Sequence, residues 1–301
     1  MPLPVLLPYS ASTLFWWERV KQLALVTYRG CPELTDDDRL LIPVLRDLGV
    51  DARPIMWDDP DADWNSFDQV VLRSCWDYHL RPSEFLAWIE TLERRGVALQ
   101  NPAPLVRWNA DKRYLRQLEA RGIVIPGTYW LEEGQRVSVV DVLERYCWDG
   151  AVLKPTVSAT AYKTRLISAK EADEIVQGPA MVQEFVPEVQ TLGEWSLIFL
   201  GGEFSHSVRK FPAAGDFRVQ TQFGGVVQAA VADSRLVAKA AAVLGTIDGP
   251  TLYARVDGLD RDGEFVLMEL ELIEPVLFLG LGGATSTLAQ KIARLNQNLL
   301  V

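Results

Sequence analysis

Apolar and polar positions along this chain switch between two periods, and the switches mark its elements. Residues 22–28 (QLALVTY) form a nearly continuous apolar run, as expected of a parallel strand buried on both faces. After the loop RGCPEL, Thr35 is placed to cap a helix with an acidic first turn of Asp36, Asp37 and Asp38. That helix runs to about Leu48 and stops at Gly49. VDARPIMW reads as a second strand and FDQVVLRS as a third. Residues 82–95 predict an amphipathic helix ended by Gly96, and VALQN a further strand. This β-α-β-β-α-β rhythm predicts an open parallel sheet with helices on its faces. Ligands in such sheets sit at the carboxyl ends of strands, here the loops 28–33 and 73–78.

Pro102 and Pro104 mark a boundary. A basic helix is expected over 110–121, closed by Gly122. Then come the strand GTYWL, a helix over 139–146, the strand AVLKP and a helix near 170–177. MVQEFVPE reads as a strand running into a hinge, because Pro187 ends ladder pairing. GEWSLIFLGGEFSHSVRKF is a hairpin on the Gly201-Gly202 turn. A helix over 234–244, a second hairpin over 252–275 and a closing helix over 287–300 complete an α+β second half. No internal repeat is present.

The second hairpin carries the candidate chemistry. LYARVD alternates, RDG turns, and EFVLMELELIEP alternates again. Successive strand side chains point to opposite faces, so Glu269 and Glu271 share one face and Asp257 can pair near them across the turn. Three converging carboxylates repel one another unless a cation sits between them. Hard oxygen ligands with open positions suit Mg²⁺, with phosphate and water filling the rest. Arg255 lies on the same face and can meet a phosphate bidentately. The stretch reads as a Mg–nucleotide site; the plain alternative is a solvated acidic face, which the apolar flanking residues disfavour.

Composition narrows the classes. With 301 residues, 49% of them hydrophobic, the chain has ample core for two or three structural units. A net charge of -10 and pI near 4.9 argue against a general nucleic-acid or anionic-membrane binder. Cys31, Cys75 and Cys147 show no paired spacing, which suits a reducing cytoplasm. Two histidines, His79 and His206, exclude a histidine-rich metal site, and a lone histidine is more often structural than catalytic. Cys75 has no identifiable basic partner to activate it and reads as a buried thiol. No apolar run is long enough to span a bilayer. Residues 1–20 read as an extension, either a poorly formed signal peptide or the product of a start placed too early, with Val20 as the alternative start.

The ordered elements from about Lys21 onward resemble the ATP-grasp superfamily of carboxylate–amine ligases. The resemblance stands on Lys112 in WNADKRYL, Lys154 in VLKP, QEFV at 183–186, YARVD and MELELIEP. The phrases YRGCPELTDDD, RSCWDY, GEWSLIF, FSHSVRK and GDFRVQ are similar to the O-ureido-D-serine cyclase group of D-cycloserine biosynthesis. RKFPAAGDFR is more distantly similar to bacterial glutathione synthetases.

The resemblance implies an ATP-grasp fold: a parallel-sheet domain over 21–108, a central lid subdomain over 109–187 and a metal-bearing subdomain over 188–301. It implies ATP and Mg²⁺ (or Mn²⁺), with two ions held by Asp257, Glu269 and Glu271. Lys112 and Lys154 would hold phosphates, although Lys112 equally suits a plain helix face. Ser158, with the other hydroxyls of the glycine-free loop PTVSATAY, would cover them. Glu184, Phe185 and Val186 would form the adenine hinge, and Glu188 or Glu194 would bond the ribose. Lys210, Arg218 and Arg255 would hold the γ-phosphate and the acylphosphate. The third metal ligand is commonly Asn in the superfamily and here is Glu271, adding negative charge.

Substrate contacts are expected from Tyr28, Arg29, Arg73, Ser74, Trp76, Asp77 and Glu274, with Arg73 clamping a carboxylate and Asp77 or Glu274 meeting an ammonium. The implied reaction phosphorylates a carboxylate of a small amino-acid-like substrate, which a nitrogen then attacks; dimers are usual in similar enzymes. The alternatives are an intermolecular peptide-type ligase, a nucleotide-binding regulator without turnover, and a structural subunit using its tryptophans as interface anchors.

Overall fold

The computed structural model describes residues 20–168 and 174–295. The N-terminal extension, residues 169–173 of the helix expected near 170–177, and the end of the closing helix lie outside the described residues.

The first strand, β1 (Lys21–Thr27), is central to a parallel sheet. Its neighbours are β2 (Val50–Met56) on one side and β3 (Gln69–Leu72) on the other, with β4 (Leu99–Gln100) beyond β3. The apolar run has the reason expected for it. Leu23 and Leu25 point into one core, while Ala24 and Val26 point into another. Between β1 and β2 the chain forms α1 (Asp36–Arg39) and α2 (Leu41–Asp47) rather than one helix. Pro43 has no N–H to give the Arg39 carbonyl, so the ladder breaks there. Thr35 caps α1 as expected, its hydroxyl accepting from Asp38 N at 3.1 Å. Helix α3 (Pro82–Arg94) lays Phe85, Ile89 and Leu92 onto the second core. Trp57 and Trp64 are buried in that core and Trp88 packs against both, so these rings are not interface anchors.

The basic helix expected over 110–121 starts late, as α5 (Tyr114–Ala120), and a separate helix, α4 (Ala103–Asn109), occupies the stretch read as a boundary. At the break, Lys112 N donates to the Thr156 carbonyl at 2.7 Å and Asp111 accepts from Arg113 N at 2.9 Å. Both bonds compete with helix continuation.

A second, antiparallel sheet runs β5 (Thr128–Leu131), β10 (Ala180–Glu184), β7 (Gly150–Pro155), β8 (Arg165–Ser168), in that spatial order. Helix α6 (Val139–Tyr146) packs Val139, Val142 and Leu143 against it. Where a helix was expected to end, β9 (Ile175–Gln177) pairs antiparallel with β6 (Arg136–Ser138).

The third sheet is five-stranded: β13 (Val226–Ala229), β12 (Glu203–Phe211), β11 (Glu194–Leu200), β14 (Tyr253–Arg261) and β15 (Glu264–Glu271). A short helix, α7 (Glu188–Thr191), precedes it, α8 (Ser234–Leu244) covers one face, and α9 (Ala284–Leu295) packs with α2 in the core shared with the first sheet. Asp257 lies opposite Glu269, and a bulge between Asp257 and Gly258 then shifts the register. Glycine is required at 258: a Cβ there would sit 2.3 Å from the Phe265 ring and 2.8 Å from the Val266 carbonyl.

Candidate active site

Ladder pairing builds the polar centre of the third sheet. Arg255 lies opposite Glu271 and Asp257 opposite Glu269 on β14 and β15; Ser196 lies opposite Asp257 on β11, and Glu194 opposite Lys210 on β12. The side chains then meet. Arg255 Nη2 donates to Asp257 Oδ2 at 2.9 Å and Glu271 Oε1 at 2.6 Å. Lys210 Nζ reaches Asp257 at 2.9 Å and Glu194 at 2.5 Å, and the Ser196 hydroxyl donates to Asp257 at 2.6 Å. From the break before α5, Lys112 Nζ donates to Glu269 Oε1 at 2.5 Å and to the Ser158 carbonyl at 2.8 Å.

The sequence predicts three carboxylates facing one another; in the structure each faces a lysine or arginine first. Among the described residues no group of three or more His, Cys, Asp or Glu is drawn together as a metal cage. The donor chemistry still fits a hard divalent cation. Burial pushes the Glu271 carboxyl up to about 7, Glu269 and Asp257 adding to the rise while Arg255 opposes it. Burial also acts to raise Asp257, and there Arg255 and Lys210 prevail, holding it below the usual carboxylate range. Negative charge is thus left under-compensated at the Glu271 end, where an added cation would relieve it.

These groups form one wall of a cavity of about 360 Å³ between the three sheets. Lys154, at the end of β7, lines it without an ion-pair partner among the described residues; burial, reinforced by Lys112, lowers its ammonium to about 8. Ser158 and Glu194 also line it. Arg218 does so while bonded to Asp216 at 2.8 Å and stacked 3.7 Å from the centroid of the Phe223 ring. Glu184, the last residue of β10, and Phe185 and Val186 just after it also line the cavity. Phe185 N–H is committed to the Gly150 carbonyl at 3.1 Å, so it is not free to read a base; among the described residues the Val186 N–H makes no such bond. Glu188 does not line the cavity and instead pairs with Arg261 at 3.1 Å.

The expected substrate residues divide. Trp76 and Glu274 line the cavity. Arg73 and Ser74 do not: both are buried against Asp38, at 2.8 and 2.6 Å, and Arg73 also donates to the Pro275 carbonyl and stacks on Tyr253. A guanidinium so committed is no clamp for a substrate carboxylate. Asp77 is held by Trp57 and Arg81, each at 2.8 Å, and Arg29 is exposed beside Asp58. Tyr28 lies outside the cavity lining, its ring 6.4 Å from that of Trp76. His206 bonds Ser205 and the Leu277 carbonyl, and Cys75 is fully buried with its thiol raised by burial, so neither is a candidate catalyst.

Sequence reading passed over Tyr78, Asn109 and Gln183, which also line the cavity. Tyr78 stands two residues beyond Trp76, which was signal enough. Asn109 carried none: it donates to the Leu270 carbonyl and accepts from Leu272 N, both at 2.8 Å, fixing β15 beside α4.

Residues 23–101 match the family model of the D-cycloserine synthetase DcsG N-terminal domain. The cycloserine biosynthesis protein DcsG of Streptomyces lavendulae is 34% identical over 276 residues, 85% of this chain and 92% of that one. A glutathione synthetase of Prochlorococcus marinus is 31% identical over 144 residues, 46% of this chain and 45% of its own. The crystal structure of D-cycloserine synthetase DcsG superposes with a TM-score of 0.78 at 30% identity, covering 91% of this chain and 99% of that one. The D-alanine–D-alanine ligase of Bacillus anthracis complexed with ATP shares the fold with a TM-score of 0.64 at 15% identity, over 93% and 98% of the two chains.

The fold and the site together define an ATP-grasp ligase, an enzyme that uses ATP to form a carbon–nitrogen bond. The likeness to DcsG over most of both chains goes further: this chain belongs to the D-cycloserine synthetase family.

Proposed function

We propose that this enzyme phosphorylates the carboxylate of an O-ureido-serine-like amino acid and closes the product ring with the substrate's own ureido nitrogen. The observation that carries the reading is the fixed cation set of Arg255, Lys210 and Lys112, which lines a cavity of about 360 Å³ together with Val186 and Glu184. Phosphoryl transfer needs positioning and fixed positive charge more than acid–base groups. Lys112 and Lys154 hold the α- and β-phosphates, and the Ser158 loop covers them. The Val186 N–H and Glu184 read the adenine edge. Arg255, Lys210 and Arg218 hold the transferring phosphoryl group, orienting the substrate carboxylate oxygen in line with it. Asp257, Glu269 and Glu271 hold Mg²⁺, as two ions, which when bound supply charge neutralisation of the triphosphate.

The carboxylate oxygen takes the γ-phosphoryl group and ADP leaves. The ureido nitrogen then attacks the acyl carbon and expels phosphate. Water removes the carbamoyl group, whose carbon leaves as carbon dioxide and whose amide nitrogen leaves as ammonia. The relative named a cycloserine biosynthesis protein, matched over 92% of its length, supports the cyclase over an intermolecular ligase.

The test is ADP release with Mg·ATP against O-ureido-D-serine, its L-form, single amino acids, amino-acid pairs and dipeptides. Turnover with one ureido substrate alone, giving a cyclic product by mass, is expected. Turnover only with two substrates would replace the cyclase with an intermolecular ligase.

A further inference from the structure

Six carboxylates line the cavity among the described residues, and five have a basic partner within 4 Å. Glu184 pairs with Arg261, Glu194 and Asp257 with Lys210, Glu269 with Lys112 and Glu271 with Arg255. Glu274 is the exception: among the described residues no lysine, arginine or histidine pairs with it, and no other side chain hydrogen-bonds its carboxylate. It sits on the wall between Trp76 and the Glu269–Glu271 pair. Burial, reinforced by Glu271, pushes its carboxyl well above the ordinary range. Burial without a cation holds a carboxyl toward its neutral form, and a ligand cation beside it restores the charge.

Its position is fixed from outside the third sheet. The Glu274 carbonyl accepts from Trp76 Nε1 at 3.0 Å and the Pro275 carbonyl from Arg73 Nη2 at 2.8 Å. Leu279 N donates to Asp37 at 2.6 Å. Three bonds from the first domain therefore clamp the main chain that carries this side chain, and Arg73 acts here as a positioning residue. Trp76 adds an aromatic ring to the same wall, a surface that suits a cation.

We propose that Glu274, beside Trp76, is the residue of this enzyme that receives the α-ammonium of its amino-acid substrate. The proposal rests on the carboxylate-activating function given above and specifies which substrates it accepts. The carboxylate accepts hydrogen bonds from the ammonium, whose charge replaces the lysine or arginine that the other five acids have. The opposite end of the same small substrate is thereby turned toward Arg255.

The experiment measures binding in the presence of Mg²⁺ and a non-hydrolysable ATP analogue. The probes are O-ureido-D-serine and D-serine, each beside the counterpart lacking only the amino group, 3-(ureidooxy)propanoate and 3-hydroxypropanoate. The native protein is expected to favour an amino-bearing member by about 100-fold, the size of a charge-assisted hydrogen bond. In Glu274→Gln, which keeps size and main-chain clamps, that preference collapses while nucleotide affinity is unchanged.

A preference that survives in Glu274→Gln, or a native protein that favours no amino-bearing probe, overturns the subsite. Loss of Mg-nucleotide binding in Glu274→Gln also overturns it, because the carboxylate then belongs to the metal. The cyclase reading is judged separately by product: a native protein that binds the amino acid but forms no ring retains the ammonium subsite and loses the cyclase.

Discussion

Arg255 and Glu271 face each other across the β14–β15 ladder with Nη2 2.6 Å from Oε1, and the same guanidinium donates to Asp257 two residues along its own strand. One arginine thus neutralises two of the three acids assigned to the metal, and it lines the cavity while its Nη1 donates to the Val276 carbonyl at 3.1 Å. Replacing it with alanine leaves Glu271 without a cation and Asp257 with Lys210 alone, and removes the charge that meets the phosphoryl group. Single-turnover ADP formation is expected to fall about 10³-fold or more. Arg255→Lys keeps the charge but not the forked geometry and should fall between the two. A near-native rate in Arg255→Ala would remove it from the catalytic set.

Glu269 and Glu271 are assigned to metal rather than to fold. Glu269→Gln and Glu271→Gln are each expected to raise the Mg²⁺ concentration for half-maximal activity about 10-fold or more, with part of the loss recovered in Mn²⁺. If the rate falls with an unaltered metal requirement, the side chains act only through Lys112 and Arg255.

Lys154 gives the site a pH limit. Its ammonium is lowered to about 8 in the folded protein from an ordinary 10.5. Between those values the unfolded chain binds more protons, so this residue lets stability rise with pH across that window; below about 8 its buried charge costs stability. Phosphate binding needs the charged form. ATP affinity of the free enzyme should therefore decline as pH rises past about 8, and Lys154→Arg should move that decline to higher pH. An unshifted limb in the variant would point to another group.

Arg73 separates a fold role from a substrate role. It is wholly buried with Asp38, so Arg73→Met strands that carboxylate and is expected to cost about 3–5 kcal/mol, seen as a clear drop in Tm. Ser74→Ala, which removes a 2.6 Å bond to the same carboxylate, should cost about 1–3 kcal/mol. A substrate clamp would instead raise KM at unchanged Tm.

Local pattern alone determined much of this protein. The apolar run of β1, the acidic capped turn at Thr35, and the alternation around Asp257, Glu269 and Glu271 are short-range properties, because strand and helix periods are set by a few residues. The shared face of Arg255 and Asp257 was legible for the same reason, and so was the reach of Lys154 from a strand end. What tertiary structure decided is which charges meet. Arg73 and Asp38 are 35 positions apart, and only the docking of α1 over the ends of β1 and β3 turns a presumed substrate clamp into a buried anchor. Lys112 finds Glu269 across 157 positions because Thr156 takes its amide and holds the start of the expected helix back to Tyr114. Glu274 stands unpaired among the described residues, while Lys112, Lys210 and Arg255 are each drawn to another acid. A sequence states which residues carry charge; burial and distance, which depend on the whole fold, decide which of those charges remain available to a ligand.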